Sequence, residues 1–192
     1  MPKYSLWLCP PAASAAASAL AAAIAKLSSA LGGPRFPPHA TLFSPVAADC
    51  GDAEALEQTA RFAAELRRQL GADVAGIPVE VDCLAAGDTY HQCIFLKESG
   101  SEALAAANAA ARQHWGAASQ PLFVPHVSLV YGNHPADAMP RLLTQAGTVL
   151  PDDLAALSYI ATDICVISTS GPCEQWREVG RVSIAPKCET NN

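Results

Sequence analysis

Two pentapeptides of nearly the same sequence recur in this chain, Pro38-His39-Ala40-Thr41-Leu42 and, 87 residues later, Pro125-His126-Val127-Ser128-Leu129. Each follows a predicted helix with a glycine stop, so both occupy the same place in a helix–strand unit. Side chains alternate between the two faces of a strand, so the histidine and the hydroxyl residue of each pentapeptide share a face. The fold must therefore contain this imidazole–hydroxyl unit twice.

The spacing of apolar residues predicts four helices and about seven strands. The predicted helices run from the Ser14 cap to the Gly32-Gly33 stop, from Asp52 to Leu70, from Ser101 to Gly116 and around Ala136 to Gln145, and the predicted strands are Tyr4 to Cys9, Thr41 to Val46, Ile77 to Cys83, Tyr90 to Lys97, Phe123 to Tyr131, Tyr159 to Ser168 and Trp176 to Ile184. The second half loosely repeats the first, which predicts an α+β chain of two lobes, each with a small, mostly antiparallel sheet. We expect one domain over residues 1–192 with a disordered tail at 187–192.

Composition excludes several classes of function. A net charge of −6 and a pI of about 5.2 argue against extended contact with nucleic acid, although a small phosphorylated ligand needs only a few local donors. The seven cysteines are odd in number and form no Cys-x-x-Cys pair, which predicts free thiols in a reducing compartment such as the cytoplasm. No apolar run is long enough to span a membrane. We expect a monomer.

The repeated residue types suit the hydrolysis of a cyclic phosphate. Histidine titrates near neutral pH, so one imidazole can accept a proton from water while the other donates a proton to the leaving oxygen. Thr41 and Ser128 can donate hydrogen bonds to the phosphate oxygens, which gain negative charge in the transition state. His39 and His126 are therefore the candidate acid and base, and no metal or cofactor is required. Which histidine is the base stays open, with a slight preference for His126.

Other interpretations of the histidines and cysteines are less well supported by the sequence. A single Pro-His-x-Thr segment is typical of a buried structural histidine, and it is the recurrence that favours a functional site. His91 and His114 are expected to be structural or exposed. A zinc site formed by His91, Cys93 and Cys83 lacks the usual ligand spacing, and no cysteine has the sequence context of an activated nucleophile.

The two His-x-Thr/Ser motifs make the chain resemble the 2H phosphoesterase superfamily. The segments Tyr4-Ser5-Leu6-Trp7-Leu8, Phe36-Pro37-Pro38 and Val130-Tyr131-Gly132, together with Trp176, resemble the eukaryotic (plant and yeast-type) cyclic phosphodiesterase branch. The resemblance implies a bilobal fold with a pseudo-twofold axis and a cleft between the lobes. It also implies metal-independent hydrolysis of ADP-ribose 1″,2″-cyclic phosphate and nucleoside 2′,3′-cyclic phosphates, by-products of tRNA splicing.

The same resemblance implies that Tyr131 and Trp176 contact the substrate. Strand alternation places Tyr131 on the face opposite His126, so the resemblance requires a twist in the strand or a place for Tyr131 at the end of the cleft. Trp176 alternatively fills the core. Two other functions remain open: an enzyme that processes 2′,3′-cyclic phosphates at RNA ends, and a non-catalytic nucleotide-binding module.

Overall fold

The computed structural model describes residues 3–46, 51–71, 74–117 and 123–185. Within these ranges the chain forms four helices and nine strands. In chain order they are β1 (Tyr4–Leu8), α1 (Ala15–Leu31), β2 (Ala40–Val46), α2 (Asp52–Leu70), β3 (Ile77–Val79), β4 (Val81–Ala86), β5 (Ile94–Glu98), α3 (Glu102–His114), β6 (His126–Val130), α4 (Met139–Gly147), β7 (Tyr159–Ala161), β8 (Asp163–Ser168) and β9 (Arg177–Ser183). The predicted tail at 187–192 lies outside the described residues.

The strands form two antiparallel sheets, and the predicted α+β class with flanking helices is confirmed. Seven strands follow the order β4-β5-β6-β2-β1-β8-β9, while β3 and β7 pair separately. In strand order, the large sheet has two halves, β4-β5-β6 and β2-β1-β8-β9. These halves meet where Ala40 of β2 lies opposite Val127 of β6.

Two segments that the sequence predicts as single strands each cross from the small sheet to the large one. The first changes sheets at Glu80, between β3 and β4, and the second at Thr162, between β7 and β8. Alternating apolar residues predict a strand but not the sheet that the strand joins. The sequence pattern therefore could not predict either crossing. The return strand predicted from Tyr90 begins at Ile94, because Tyr90–Gln92 forms a 3-10 turn.

The alanine-rich first helix is formed as its sequence predicts. The Ser14 hydroxyl accepts a hydrogen bond from the Ala17 amide at 3.1 Å and caps the helix. Leu20, Ile24 and Leu27 are fully buried against the sheet, which stabilises the fold by about 1.5–3 kcal/mol for each side chain. Small alanine side chains on the same helix allow this close packing.

One face of the central strands packs in the hydrophobic core, and the other face lines a cleft. Alternation along β1, β2 and β6 sends one set of side chains into the hydrophobic core beneath the helices: Leu6, Leu8, Ala40, Leu42, Val127 and Leu129. The intervening side chains line a cleft on the opposite face: Ser5, Trp7, Thr41, His126 and Ser128. The core therefore fixes the register that presents the polar side chains together.

Two adjacent glycines give a matched test of how the end of α1 is joined to the site. Gly32 and Gly33 both have positive φ (77° and 103°), but a Cβ at Gly33 would lie 2.6 Å from the carbonyl oxygen of Tyr131, whereas one at Gly32 meets no atom within 4 Å. Both alanine substitutions cost about 1–2 kcal/mol of backbone strain. Gly33→Ala is expected to cost about 1–3 kcal/mol more through the clash. Urea unfolding measures both, and equal losses would contradict the close contact with Tyr131.

Candidate active site

The pentapeptides meet at the centre of the large sheet. Ala40 and Val127 occupy the same position in their two pentapeptides and lie opposite each other in an antiparallel pair, so a local twofold axis passes between them. Their neighbours in the chain point to the opposite face of the sheet. There they line one cleft of about 590 Å³ that contains all four side chains predicted from the motifs: His39, Thr41, His126 and Ser128.

Both imidazoles are oriented by the same local hydrogen bond. Nδ1 of His39 lies 2.7 Å from the carbonyl oxygen of Pro37, and Nδ1 of His126 lies 2.7 Å from the carbonyl oxygen of Val124. Proline follows Pro37 and Val124 and restricts each to extended backbone. Because a carbonyl only accepts hydrogen bonds, Nδ1 carries the proton of the neutral ring in both cases. Nε2 is therefore the unprotonated ring nitrogen of each histidine, the one that can accept a proton.

His39 is held between aromatic side chains. Its ring stacks on Trp7 with centroids 3.4 Å apart and an interplanar angle of 5°, and the Trp7 indole NH donates to the Ser5 hydroxyl at 2.9 Å. The Tyr131 hydroxyl lies 3.4 Å from Nε2 of His39. Burial raises the pKa of Tyr131, so its hydroxyl stays protonated and can donate to Nε2. These contacts fix the ring of His39, which is only 2% exposed.

The two histidines differ in how strongly they are desolvated. Burial lowers the pKa of His39 to about 3, although the bond to Pro37 raises it, and the charge of His126 lowers it further. Burial also lowers the pKa of His126, with its bond to Val124 acting in the opposite direction. Both imidazoles are therefore neutral at pH 7 in the free protein, and His126 is the one that is partly exposed.

The two hydroxyl groups lie in different environments. Ser128 is buried, and its hydroxyl donates to the carbonyl oxygen of His91 at 3.0 Å. Thr41 is half-buried and faces the cleft. A phosphate oxygen in the cleft could compete with the His91 carbonyl for the proton of Ser128.

An aromatic wall closes one side of the cleft. Trp176 makes an edge contact with Trp7 at 5.9 Å, another with Tyr131 at 6.1 Å, and stacks with His91 at 5.8 Å. Phe36 stacks on Tyr131 at 3.9 Å. Trp176 is half-buried and its indole NH donates to a carbonyl in the preceding loop, so its ring is fixed at the edge of the cleft rather than deep in the core.

Tyr131 lines the cleft, although strand alternation predicted the face opposite His126. Strand β6 ends at Val130, and Tyr131 is the next residue, so the alternation of β6 no longer sets its direction. Its ring lines the cleft together with Trp176. The structure thus brings both residues to the four motif side chains.

His91 is exposed, as expected, but it also lines the cleft. Its ring packs edge-on against Tyr131 at 5.0 Å. No sequence signal indicated this position, because it depends on the 3-10 turn that precedes β5 and on the pairing of β5 with β6. Trp7 and Phe36 were indicated only by the family resemblance.

A family model described as "cyclic phosphodiesterase-like protein" matches residues 1–184. The chain belongs to this family. It is a phosphodiesterase of the 2H phosphoesterase superfamily. No curated protein sequence matches the chain significantly.

Solved structures share the fold of the phosphodiesterase at low sequence identity. E. coli LigT complexed with phosphate is 13% identical, with 95% of this chain and 97% of that chain covered and a TM-score of 0.56. E. coli LigT complexed with NADP+ is 12% identical, with 96% and 98% covered and a TM-score of 0.57. Kluyveromyces marxianus Usb1 is 11% identical, with 92% and 97% covered and a TM-score of 0.52.

The zinc site considered for the sequence has no matching ligand cluster in the described ranges. No three His, Cys, Asp or Glu side chains there are grouped as metal ligands. Of the suggested zinc set, Cys93 is buried and Cys83 is exposed on β4. Five described cysteines are free thiols: Cys9, Cys83, Cys93, Cys165 and Cys173. None of the helices in these ranges is long and apolar enough to cross a membrane.

The lowered histidine pKa values predict that the enzyme loses stability as the pH falls below 6.5. Between the folded pKa of His39 of about 3 and the unfolded value of about 6.5, the unfolded chain binds a proton that the folded chain does not, so protons favour unfolding. His39 alone should contribute a loss of about 1.4 kcal/mol between pH 7.5 and 5.5. Urea unfolding at both pH values should show a smaller loss in His39→Phe, which keeps the stack on Trp7. An equal loss in both proteins would contradict a buried neutral His39.

Proposed function

We propose that this phosphodiesterase hydrolyses ADP-ribose 1″,2″-cyclic phosphate to ADP-ribose 1″-phosphate, and nucleoside 2′,3′-cyclic phosphates to nucleoside 2′-phosphates. His39 and His126 act as general base and acid, without a metal. One observation carries the proposal: two histidines related by a local twofold axis, each with Nδ1 bound to a backbone carbonyl, line the same cleft.

The reaction requires two proton transfers on opposite sides of phosphorus. The base takes a proton from water as the water oxygen bonds to phosphorus, and the bond between phosphorus and one ribose oxygen breaks. The acid gives its proton to that ribose oxygen, which leaves as an alcohol. A twofold pair of imidazoles suits this arrangement because its members reach the phosphate from opposite sides.

The electrostatics support His39 as base and His126 as acid. The pKa of His39 is lowered further by burial, to about 3, so His126 is the first to be protonated when a phosphate anion enters and raises both values. A protonated His126 can donate to the leaving oxygen, while neutral His39 accepts a proton at Nε2. This assignment is opposite to the slight preference drawn from the sequence.

The hydroxyl groups of Thr41 and Ser128 bind the phosphate oxygens. Both are neutral donors, so they stabilise the charge that develops on these oxygens without forming a permanent ion pair. On substrate binding, the proton of Ser128 turns from the His91 carbonyl, 3.0 Å away, to a phosphate oxygen. Tyr131 and Trp176 contact the ribose and base through the aromatic wall.

We further propose that the enzyme belongs to the eukaryotic cyclic phosphodiesterase branch and acts in the cytoplasm on by-products of tRNA splicing, as a monomer. The residues of that resemblance support this proposal, since Trp7, Phe36, Tyr131 and Trp176 all contact one another or His39. Small nucleotides are its partners rather than long nucleic acids, given the net charge of −6.

Turnover in EDTA tests the proposal. The enzyme is incubated with 2′,3′-cyclic AMP and with ADP-ribose 1″,2″-cyclic phosphate, and ³¹P NMR identifies the product isomer. We expect the 2′-phosphate and the 1″-phosphate. His39→Ala and His126→Ala should each lose about 10²- to 10⁴-fold in rate, because general acid–base catalysis contributes that much.

His114→Ala is the matched control, since this exposed histidine lies on α3 and does not line the cleft. Its rate should equal that of the unmodified enzyme. Tight binding of both substrates without turnover would support the non-catalytic module instead. Turnover restricted to oligonucleotide ends would support the RNA-end enzyme.

A further inference from the structure

A second cavity of about 510 Å³ lies beside the cleft. Trp7 and Trp176 line both cavities, so this tryptophan pair is their common boundary. The second cavity extends from there along the start of α1, the segment that leads into His39, and the outer strands β8 and β9. The cleft alone has the usual volume of a small-ligand site. The neighbouring cavity of similar size has room for a second part of the same ligand.

The second cavity combines an apolar surface with cationic groups. Small side chains of α1, such as Ala17 and Ala21, and several prolines form its apolar lining. Three arginines also line it, together with Glu174 and Glu178: Arg35, Arg177 and Arg181. An apolar surface beside guanidinium groups suits a flat base attached to phosphate.

Arg35 is the arginine available to an anion. Arg177 is paired with Asp52 at 2.7 Å, and Arg181 is paired with Glu178 at 2.8 Å. Within the described ranges Arg35 has no carboxylate partner, and its guanidinium donates to the hydroxyl of Ser29 at 2.8 Å. The next residue in the chain is Phe36, which contacts both His39 and Tyr131. A phosphate held at Arg35 would lie in the second cavity, which shares Trp7 and Trp176 with the catalytic cleft.

We infer that the second cavity binds the nucleoside diphosphate half of the substrate, with Arg35 as its phosphate contact. The inference rests on the proposed function, in which the ribose that carries the cyclic phosphate occupies the histidine cleft. The diphosphate then crosses the boundary at Trp7 and Trp176, and the adenosine packs on the apolar side of α1. Arg35 determines specificity and takes no part in the chemical step.

Two substrates separate this inference from the proposed function. Arg35→Gln should lower kcat/KM for ADP-ribose 1″,2″-cyclic phosphate by about tenfold to a hundredfold, the effect of one charge-assisted hydrogen bond. It should leave kcat/KM for 2′,3′-cyclic AMP unchanged, because that substrate has no diphosphate. Lys26→Gln is the control for charge. Lys26 belongs to α1 and lies near Arg35, but it does not line the second cavity.

A steric pair of variants tests the cavity itself. Ala21 lines the second cavity, while Ala22, the next residue of the same helix, is exposed and does not. Ala21→Trp should therefore reduce turnover of the ADP-ribose substrate by at least about tenfold, and Ala22→Trp should not. Circular dichroism and urea unfolding should show that both variants fold.

Calorimetry with ADP-ribose gives a readout that does not depend on turnover. Arg35→Gln should bind ADP-ribose about tenfold or more weakly than the unmodified protein. Unchanged affinity, or equal losses of activity on both substrates, would overturn the inference while hydrolysis of 2′,3′-cyclic AMP still upheld the proposed function. A loss seen only with a dinucleotide that ends in a 2′,3′-cyclic phosphate would also overturn it and would assign the cavity to RNA ends.

Discussion

The antiparallel pairing of Ala40 with Val127 is the contact on which the site depends. It joins the two halves of the large sheet and places equivalent residues of the two pentapeptides opposite each other. Both side chains are buried in the core, which fixes the register, because a slip of one residue would turn apolar groups to the cleft and imidazoles to the core. The twofold relation between the histidines therefore follows from hydrophobic packing on the other face of the sheet.

The sheet places the two histidines in one cleft, and local backbone hydrogen bonds orient their rings. The carbonyl two residues before each histidine orients its ring, at 2.7 Å in both motifs, so neither ring needs a carboxylate partner to fix its tautomer. The surroundings then break the symmetry. His39 stacks beneath Trp7 and is almost fully buried, whereas His126 is partly exposed. Different degrees of desolvation give two chemically identical side chains different proton affinities, which is how one site can hold both an acid and a base.

Much of this arrangement could be predicted from the sequence because it rests on short-range rules. Strand alternation gave the shared face of His39 and Thr41, and the Ser14 cap with the apolar spacing of α1 predicted the first helix. His91 could not be assigned to the cleft, because its position depends on how distant strands pair. The crossings between sheets at Glu80 and Thr162 were missed for the same reason. Strand alternation did not predict the direction of the Tyr131 side chain, because Tyr131 lies one residue beyond the end of β6.

A double-mutant cycle on the two histidines tests the central claim most directly. The values of kcat/KM for 2′,3′-cyclic AMP are measured for the unmodified enzyme, His39→Ala, His126→Ala and the double variant. If both imidazoles act in one transition state, removal of either one disables the pair, and the double variant should be within about tenfold of the slower single variant. Losses that multiply in the double variant would show that the histidines act independently and would contradict the account.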